Sequence, residues 1–194
     1  MNDKLLAATR FYFAQCVFMN NLHYKAYNRL SKTQNKNRYI TIGISGVTLL
    51  IITLHIICLE EKLNDILSVL SYIGMILTAT SLIFTMYSKE DIGEIKSQHK
   101  NIAEEYKELR DEHMSLIEII MSQADDEKAI RRKAQEIQKW YSSIGKYSPE
   151  TTYEDYQGAQ KGLGLGSNTN EEFSWSDEEI DRFLPSSLRI SDKS

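Results

Sequence analysis

The sequence predicts an all-α membrane protein: a two-span transmembrane helical hairpin whose N- and C-terminal cytoplasmic helices form a helical bundle. Two apolar runs, residues 39–59 and 66–87, contain no Asp, Glu, Lys or Arg, and the short charged turn 60–65 joins them. As helices rising about 1.5 Å per residue, each run covers roughly 30 Å, the thickness of a bilayer core. Only a helix pairs all its own backbone groups in lipid, so each run is a predicted transmembrane helix.

The positions of the basic residues predict the orientation of this hairpin. The turn contains only Lys62, whereas three basic residues flank each cytoplasmic end: Lys32, Lys36 and Arg38 before the first span, and Lys89, Lys96 and Lys100 after the second. Basic residues favour the cytoplasmic side. We therefore expect a multi-pass protein of the cell inner (plasma) membrane with both termini in the cytoplasm. The first apolar run begins too far into the chain to be a signal peptide.

Residues 1–38 are predicted to form a cytoplasmic amphipathic helix. Apolar residues recur at spacings of three and four, which is the helical period; they are Leu5, Ala8, Tyr12, Cys16, Met19, His23, Ala26 and Leu30. Aromatic residues widen the stripe beyond half the circumference, which favours packing against another cytoplasmic helix. The alternative is a helix lying on the anionic inner leaflet, aided by Arg10, Lys25 and Arg29.

The polar residues within the two spans follow a regular pattern. Thr41, Ser45, Thr48 and His55 lie on one stripe, with Ile52 completing its steps of three and four, and the same steps place Ser71, Gly74, Thr78, Ser81 and Thr85 on another. This is the period of a left-handed helix–helix interface. A single antiparallel register pairs the stripes, from Thr41 opposite Thr85 to His55 opposite Ser71, with Ile52 opposite Gly74. The pairing favours packing in a resting monomer, and the alternative is a pore lining formed when several copies assemble.

Residues 88–146 are predicted to be coiled-coil-like cytoplasmic helices. The apolar period runs through Ile92, Ile95, His99, Ile102, Tyr106, Leu109, His113, Leu116 and Ile120. This seam fits either an oligomer stalk or one side of a bundle closed by residues 1–38. We interpret His99 and His113 as polar seam residues. The helix is expected to break near residues 122–126, where Asp125 or Asp126 caps a second helix that Gly145 and Pro149 end.

Residues 147–194 are predicted to be an acidic tail, with 10 acidic and 4 basic residues. Residues 158–172 are rich in Gly, and we interpret them as a flexible linker because they lack the preceding strand and the GK[ST] sequence of a phosphate loop. A short helix is predicted near 176–184, with Ser176 or Asp177 as its cap. Its apolar residues suit docking, either into a partner groove or back onto the cytoplasmic helices; they are Trp175, Ile180, Phe183 and Leu184.

No catalytic constellation, metal-ligand spacing or cofactor motif is visible in the sequence, which predicts a non-enzyme without metal or cofactor. The basic residues at 128–133 are interrupted by neighbouring acids and indicate a solvated helix face, so no nucleic-acid partner is expected. The expected partners are the lipid bilayer and further copies of the chain as a homo-oligomer.

The chain resembles the SLATT family of two-transmembrane effector domains that associate with SMODS nucleotidyltransferases and SLOG sensors. The similarity lies in the order of parts: HYKAYNRLS at 23–31, a hairpin with a minimal outer turn, long charged helices, and the tail sequences YEDYQGAQKGL and WSDEEIDRFLP. The resemblance implies an effector that perturbs or perforates the inner membrane on a nucleotide signal in anti-phage defence and causes growth arrest or cell death. It also implies that a separate sensor or nucleotidyltransferase supplies the signal.

Two other functions are compatible with the same layout. The alternative function is a membrane-anchored cytoplasmic scaffold that recruits a partner through its tail. A phage holin also has membrane spans of this kind, but it needs fewer cytoplasmic residues than this chain carries.

Overall fold

The computed structural model describes residues 3–60, 64–89, 91–165 and 175–191. Of these residues 89% are helical and none is in a strand, which confirms the all-α class. The helices in chain order are α1 Asp3–Glu60, α2 Asn64–Lys89, α3 Asp91–Ser122, α4 Glu127–Tyr147, α5 Tyr153–Leu163 and α6 Asp177–Asp181, followed by a 3₁₀ turn at Ser186–Leu188.

The chain forms two compact units. One unit contains residues 29–96, and we call it the hairpin unit. The other contains residues 1–28 and 97–194, and we call it the bundle unit. The helix α1 contributes residues to both, and each unit is described by itself below.

The boundary predicted at residue 38 is a change of composition and not a break in the helix. One helix, α1, continues from Asp3 to Glu60. Residues 30–40 contain neither Gly nor Pro, so nothing in the sequence interrupts the backbone hydrogen bonds there. Thr33 and Thr41 each return a hydroxyl hydrogen bond to the carbonyl four residues earlier in the same helix.

The hairpin unit presents its large apolar side chains outward. Two helices have the length and hydropathy to cross a membrane, and their most apolar windows are not buried within the protein. Leu49 and Ile83 are 65% and 68% exposed, for example. Lipid tails are the solvent that suits such a surface.

The bundle unit is built around the seam of α3. The apolar residues of α3 pack against one face of α1 in a hydrophobic core. This core includes Phe13, Cys16 and Val17 of α1 and Ile102, Tyr106, Leu109, Leu116, Ile117 and Ile120 of α3. Burying each large apolar side chain stabilises the fold by about 1.5–3 kcal/mol. The seam of α3 is therefore covered by the chain's own N-terminal helix, as the bundle interpretation predicted.

A turn at residues 123–126 separates α3 from α4. Gln123 has a positive φ of 51°, which ends α3. The Asp126 carboxylate then accepts from the backbone amides of Lys128 and Ala129 at 2.6 and 3.0 Å, so Asp126 is the N-cap of α4. The expectation that Gly145 ends α4 is wrong: the helix passes through it to Tyr147, and the chain leaves the helix just before Pro149.

The predicted linker at 158–172 is wrong over its first six residues, because Tyr153–Leu163 form α5. Thr152 and Asp155 make a reciprocal capping box at its start. The Lys25 side chain lies against α5 at two glycines: a Cβ on Gly162 would come within a tight 3.3 Å of it, and one on Gly158 would make ordinary contact at 3.6 Å. Gly164 ends α5 in the left-handed conformation, φ 63°. The rest of the predicted linker, residues 166–172, lies outside the described residues.

Candidate functional site: a polar groove on the hairpin and a charge clamp in the bundle

An open groove of about 740 Å³ runs along the hairpin unit. Both helices contribute to it, and its lining includes five of the nine residues of the predicted polar stripes. The lining residues are Ser45, Thr48, Leu49, Ile52, Met75, Thr78, Ala79, Ser81, Leu82 and Thr85. The groove combines hydroxyls with aliphatic walls.

The threonine hydroxyls of the stripes are hydrogen-bonded within their own helices. Thr48 donates to the Ile44 carbonyl at 2.9 Å, and Thr78 donates to the Gly74 carbonyl at 2.8 Å. Thr41 and Thr85 make the same bond to the carbonyl four residues earlier. This back-bonding satisfies each hydroxyl hydrogen without help from the other helix. The predicted packing of the two stripes therefore does not depend on bonds from these hydroxyls to the other helix.

Two residues of the stripes do face each other near the turn. Ser71 Oγ lies 3.4 Å from His55 Nδ1, as the proposed register requires. A Cβ on Gly74 would lie 3.4 Å from the Ile51 side chain, so Gly74 approaches Ile51 and not the predicted Ile52. A glycine here permits close helix approach.

The other end of the hairpin unit is held by a polar contact. Lys96 Nζ donates to Gln34 Oε1 at 2.5 Å. This bond joins the sequence before the first span to the sequence after the second.

Arg10 is the centre of a charge clamp in the bundle unit. Its guanidinium is 1% exposed and donates through Nη2 to the carboxylates of Asp181 at 2.7 Å and Asp177 at 3.2 Å. It also donates through Nη1 to the Leu188 carbonyl at 3.3 Å. A buried guanidinium needs such charged partners. The alternative that placed Arg10 on the inner leaflet is therefore wrong, because this side chain points into the protein.

Asp181 holds the other half of the clamp. Its Oδ1 accepts a hydrogen bond from the Arg10 guanidinium. Its Oδ2 accepts from the Ile190 amide at 3.1 Å, from the Ser191 amide at 2.8 Å and from the Ser191 hydroxyl at 2.6 Å. Burial raises the pKa of Asp181, but the Ser191 hydrogen bonds and the Arg10 cation outweigh it and keep the pKa below its usual value. The carboxylate is thus ionised, and it fixes the chain beyond α6 as well as α6 itself.

The four predicted docking residues lie on this same segment. Ile180 and Leu184 are buried in the core of the bundle unit, while Trp175 and Phe183 pack against it. Ser176 and Glu179 form a capping box that starts α6. We call residues 175–191 the tail segment. In the structure it is seated on its own chain.

The role of Arg10 was not found from the sequence. The signal that was available is an arginine directly before an aromatic run, RFYF at 10–13, on the face that packs inward. A charge on a buried face requires a counter-charge, and the acidic tail is the obvious source.

A column of aromatic rings in mutual contact, some stacked and some edge-on, crosses the core of the bundle unit. His23 Nδ1 and His99 Nδ1 lie 2.9 Å apart, and His23 stacks on Tyr106. Tyr141 contacts both Tyr106 and Tyr12 edge-on. The column ends where Tyr12 stacks on His113 with centroids 6.0 Å apart.

Burial determines the charge of the two histidines His23 and His113 of this column and of the Cys16 thiol in the same core. It lowers the pKa of His23 and of His113 to about 4, and it raises the pKa of the Cys16 thiol to about 12. Among the described residues, neither ring nitrogen of His113 has a hydrogen-bond partner. These groups are therefore neutral at pH 7. The same described residues contain no cluster of three or more His, Cys, Asp or Glu that could hold a metal ion.

One family model matches the chain. It describes the SMODS and SLOG-associating 2TM effector domain family 4 and matches residues 5–179. No curated protein and no solved structure matches the chain. The match spans both hairpin helices, and it ends inside α6, so Arg10 and Asp177 lie within it while Asp181 lies beyond it.

Proposed function

The chain belongs to the SMODS and SLOG-associating 2TM effector domain family 4, and from this premise we propose that it perforates the inner membrane during nucleotide-signalled anti-phage defence. Membership makes it an inner-membrane effector of a defence system with a two-span hairpin, which confirms the resemblance read from the order of parts. Perforation, with growth arrest or cell death as its result, is the proposal.

The observation that carries the proposal is the polar groove on the hairpin unit. A hairpin that served only as an anchor needs no hydroxyl stripe, whereas a membrane path needs polar groups at membrane depth. Ser45, Thr48, Thr78, Ser81 and Thr85 supply a row of oxygens along one side of the hairpin. In an assembly of several copies, each hairpin would turn this side toward a shared lumen.

Because of how the threonines are hydrogen-bonded, turning the hairpin helices toward a lumen costs little hydrogen-bond free energy. Because Thr48 and Thr78 donate to their own helices, separating or rotating the helices breaks neither bond. Each hydroxyl oxygen keeps a lone pair that can accept a hydrogen bond from water. The threonine positions of the stripe therefore support two states, one packed and one hydrated, and the threonine hydroxyls keep their bonds in both.

The trigger in this account comes from a separate protein. The family description names association with SMODS and SLOG proteins. A SMODS nucleotidyltransferase would make the nucleotide signal, and a SLOG or other sensor would bind it and act on the cytoplasmic helices. The basic flanks of the hairpin, Lys32, Lys36 and Arg38 on one side and Lys89, Lys96 and Lys100 on the other, support two cytoplasmic termini. The sensor would then reach the bundle unit directly.

Dye release from liposomes tests the proposal. The full-length chain is reconstituted with its cognate signalling protein, and leakage of a small dye is measured for the wild type and for Thr48→Val with Thr78→Val. Valine keeps the threonine shape and removes the hydroxyl, so we expect leakage to fall by at least about tenfold if each removed hydroxyl costs on the order of 1 kcal/mol in every copy of the assembly.

The matched control is Thr53→Val with Thr80→Val. These threonines make the same hydrogen bond, to the Leu49 and Ile76 carbonyls, but do not line the groove. Their replacement should leave leakage unchanged. If both double variants leaked equally, the polar stripe would not line the path through the membrane.

A scaffold function is the competing proposal, and the same liposomes distinguish it. A scaffold recruits its partner through the tail and leaves the membrane sealed. It would require Ile180 and Leu184 to leave the core in which they are buried. Sealed liposomes together with loss of activity in cells after deletion of residues 167–194 would favour the scaffold.

A further inference from the structure

A pocket of about 420 Å³ opens between α1, α3 and α4 of the bundle unit. Its lining takes one aromatic residue from α1, a histidine from α3 and three polar residues from α4: Tyr12, His113, Arg131, Gln135 and Gln138. Aliphatic side chains complete the walls. Both the volume and the mixture of apolar walls with a few polar groups are typical of a small-molecule site.

His113 is the feature of this pocket that points to a ligand. It lies in the wall and is 3% exposed, and neither ring nitrogen has a hydrogen-bond partner among the described residues. Buried polar groups are nearly always paired, so an unpaired one calls for an explanation. The imidazole is neutral, because burial holds its pKa at about 4, and it offers one donor and one acceptor. Since both nitrogens are buried, a ligand reaches them when the ring turns about χ2, which is a soft torsion in histidine.

The other polar groups of the pocket match the edge and the face of a nucleobase. Gln135 and Gln138 lie three residues apart and so share a face of α4. A carboxamide donates and accepts at once, which is how glutamine pairs with the edge of a base. Tyr12 adds an aromatic ring, the usual partner for the face of a base. Among the described residues that line the pocket, Arg131 is the one cation and there is no acid.

Further cations adjoin the pocket on α4. A neighbouring groove of about 780 Å³ shares Arg131 and Gln135 with the pocket and adds Lys128 and Arg132. Guanidinium groups bind phosphate through two parallel hydrogen bonds. A nucleotide with its base in the pocket would therefore have its phosphate beside three cationic side chains.

The two acids of the neighbouring groove do not block a phosphate. Asp126 accepts from the backbone amides that start α4. Glu127 accepts from Arg131 at 2.7 Å, but both side chains are more than half exposed. An exposed ion pair contributes little to stability, so a phosphate can take the place of Glu127 on the guanidinium.

We propose that this pocket binds a nucleotide, with the base beside Tyr12 and the two glutamines and the phosphate on Arg131. His113 turns to pair with the base, which gives partners to two nitrogens that have none among the described residues. The proposal goes beyond the perforating function, because it assigns a ligand to the bundle unit whether or not the hairpins open. Since α1 continues into the hairpin unit, the ligand contacts a helix that both units share.

Calorimetric titration of the purified full-length chain in detergent tests the proposal. The probes are AMP, GMP, CMP and UMP, together with the nucleoside of whichever nucleotide binds most tightly. We expect saturable binding of a nucleotide with a Kd below about 1 mM, and weaker binding of the nucleoside because it lacks the phosphate.

Variants assign the binding to this pocket. His113→Phe keeps the ring and removes both nitrogens, so it should weaken nucleotide and nucleoside alike, by about tenfold. Gln138→Leu tests the base contact a second time at a half-buried position. Arg131→Gln should weaken the nucleotide alone, until it binds no more tightly than the nucleoside. The matched control is Lys139→Gln, which removes a positive charge from the same helix at an exposed position that does not line the pocket.

Each outcome decides the proposal. Binding that falls with His113→Phe and Gln138→Leu, loses its preference for phosphate with Arg131→Gln and survives Lys139→Gln supports it. No saturable binding of any of the nucleotides overturns it. Binding that is insensitive to His113→Phe also overturns it, and so does binding that Lys139→Gln weakens as much as Arg131→Gln, since that is a general attraction of charge. The titration needs no membrane leak, so nucleotide binding and perforation can fail independently.

Discussion

The hairpin unit and the bundle unit satisfy their polar side chains in opposite ways. In the hairpin unit the threonine hydroxyls bond to their own helix, four residues back, as Thr48 and Thr78 do. In the bundle unit Thr9 bonds in the same way, but several other polar groups bond across the fold. Arg10 bonds to Asp181, the Asn20 amide donates to the Ala103 carbonyl, and the Tyr24 hydroxyl donates to Glu104.

This difference indicates what each unit is built to do. Long-range bonds between buried groups specify one arrangement of helices, because any other arrangement leaves a group unpaired. Bonds within a helix specify nothing about its neighbour. The bundle unit is therefore fixed in structure. The hairpin unit has the His55–Ser71 and Gln34–Lys96 contacts at its two ends, and between them the threonine hydroxyls leave its helices joined by side-chain packing.

Breaking the charge clamp is expected to have the largest effect on the stability of the bundle unit. Asp181→Asn leaves the buried Arg10 without its closest carboxylate, and we expect the bundle unit to lose about 3 kcal/mol of unfolding free energy. Urea unfolding followed by tryptophan fluorescence measures it, since both tryptophans, Trp140 and Trp175, lie in the bundle unit.

Asp177→Asn is the matched control on the same arginine. The Asp177 side chain is 58% exposed and lies 3.2 Å from the guanidinium. An exposed ion pair contributes less than about 1 kcal/mol. Equal losses from the two variants would contradict the account of Asp181 as the buried partner.

The ring column makes the bundle unit sensitive to acid. Burial lowers the pKa of His113 to about 4 in the folded protein, against 6.5 for the exposed side chain, although the neighbouring Glu112 favours the charged form. The unfolded chain binds the proton first as the pH falls. Stability is therefore fully present above pH 6.5 and is lost between pH 6.5 and 4, by roughly 3 kcal/mol at pH 4 for this one histidine.

His113→Phe should remove this part of the acid sensitivity. Phenylalanine keeps a ring against Tyr12 and removes two buried nitrogens without described partners. We expect the variant to be at least as stable as the wild type at pH 7, and its advantage to grow as the pH falls to 4. His55→Phe, in the hairpin unit, should leave the fluorescence-detected unfolding profile unchanged. A constant difference between pH 7 and 4 would contradict a neutral buried His113.

The sequence predicts the helices well because helical periodicity records which face is buried. The α3 seam and the Asp126 cap both follow from spacing and from cap chemistry, and both agree with the structure. The same local rules failed at Gly145 and at Gly158, where glycine was interpreted as a helix end or a linker. Gly158 and Gly162 both lie inside α5, which packs against Lys25, and this contact depends on a residue far away in the sequence.

The clamp could not be placed from the sequence for a related reason. Arg10 and Asp181 are distant along the chain, and no local period connects them. The acidic excess of the tail was visible, but its target was not. The stripes of the hairpin follow from a helical period, and five of their nine residues line the groove. The bonds of Thr48 and Thr78 within their own helices depend on side-chain rotamers, which spacing does not set.

The most direct test of the central claim is whether water reaches the stripe when the membrane leaks. Ser81→Cys, on the stripe, and Thr80→Cys, beside it, are each labelled with a membrane-impermeant thiol reagent in liposomes, and dye release is recorded in the same sample. The account predicts that position 81 reacts only when the liposomes leak and that position 80 stays unlabelled throughout. Leakage with position 81 unlabelled, or with both positions labelled alike, would contradict it.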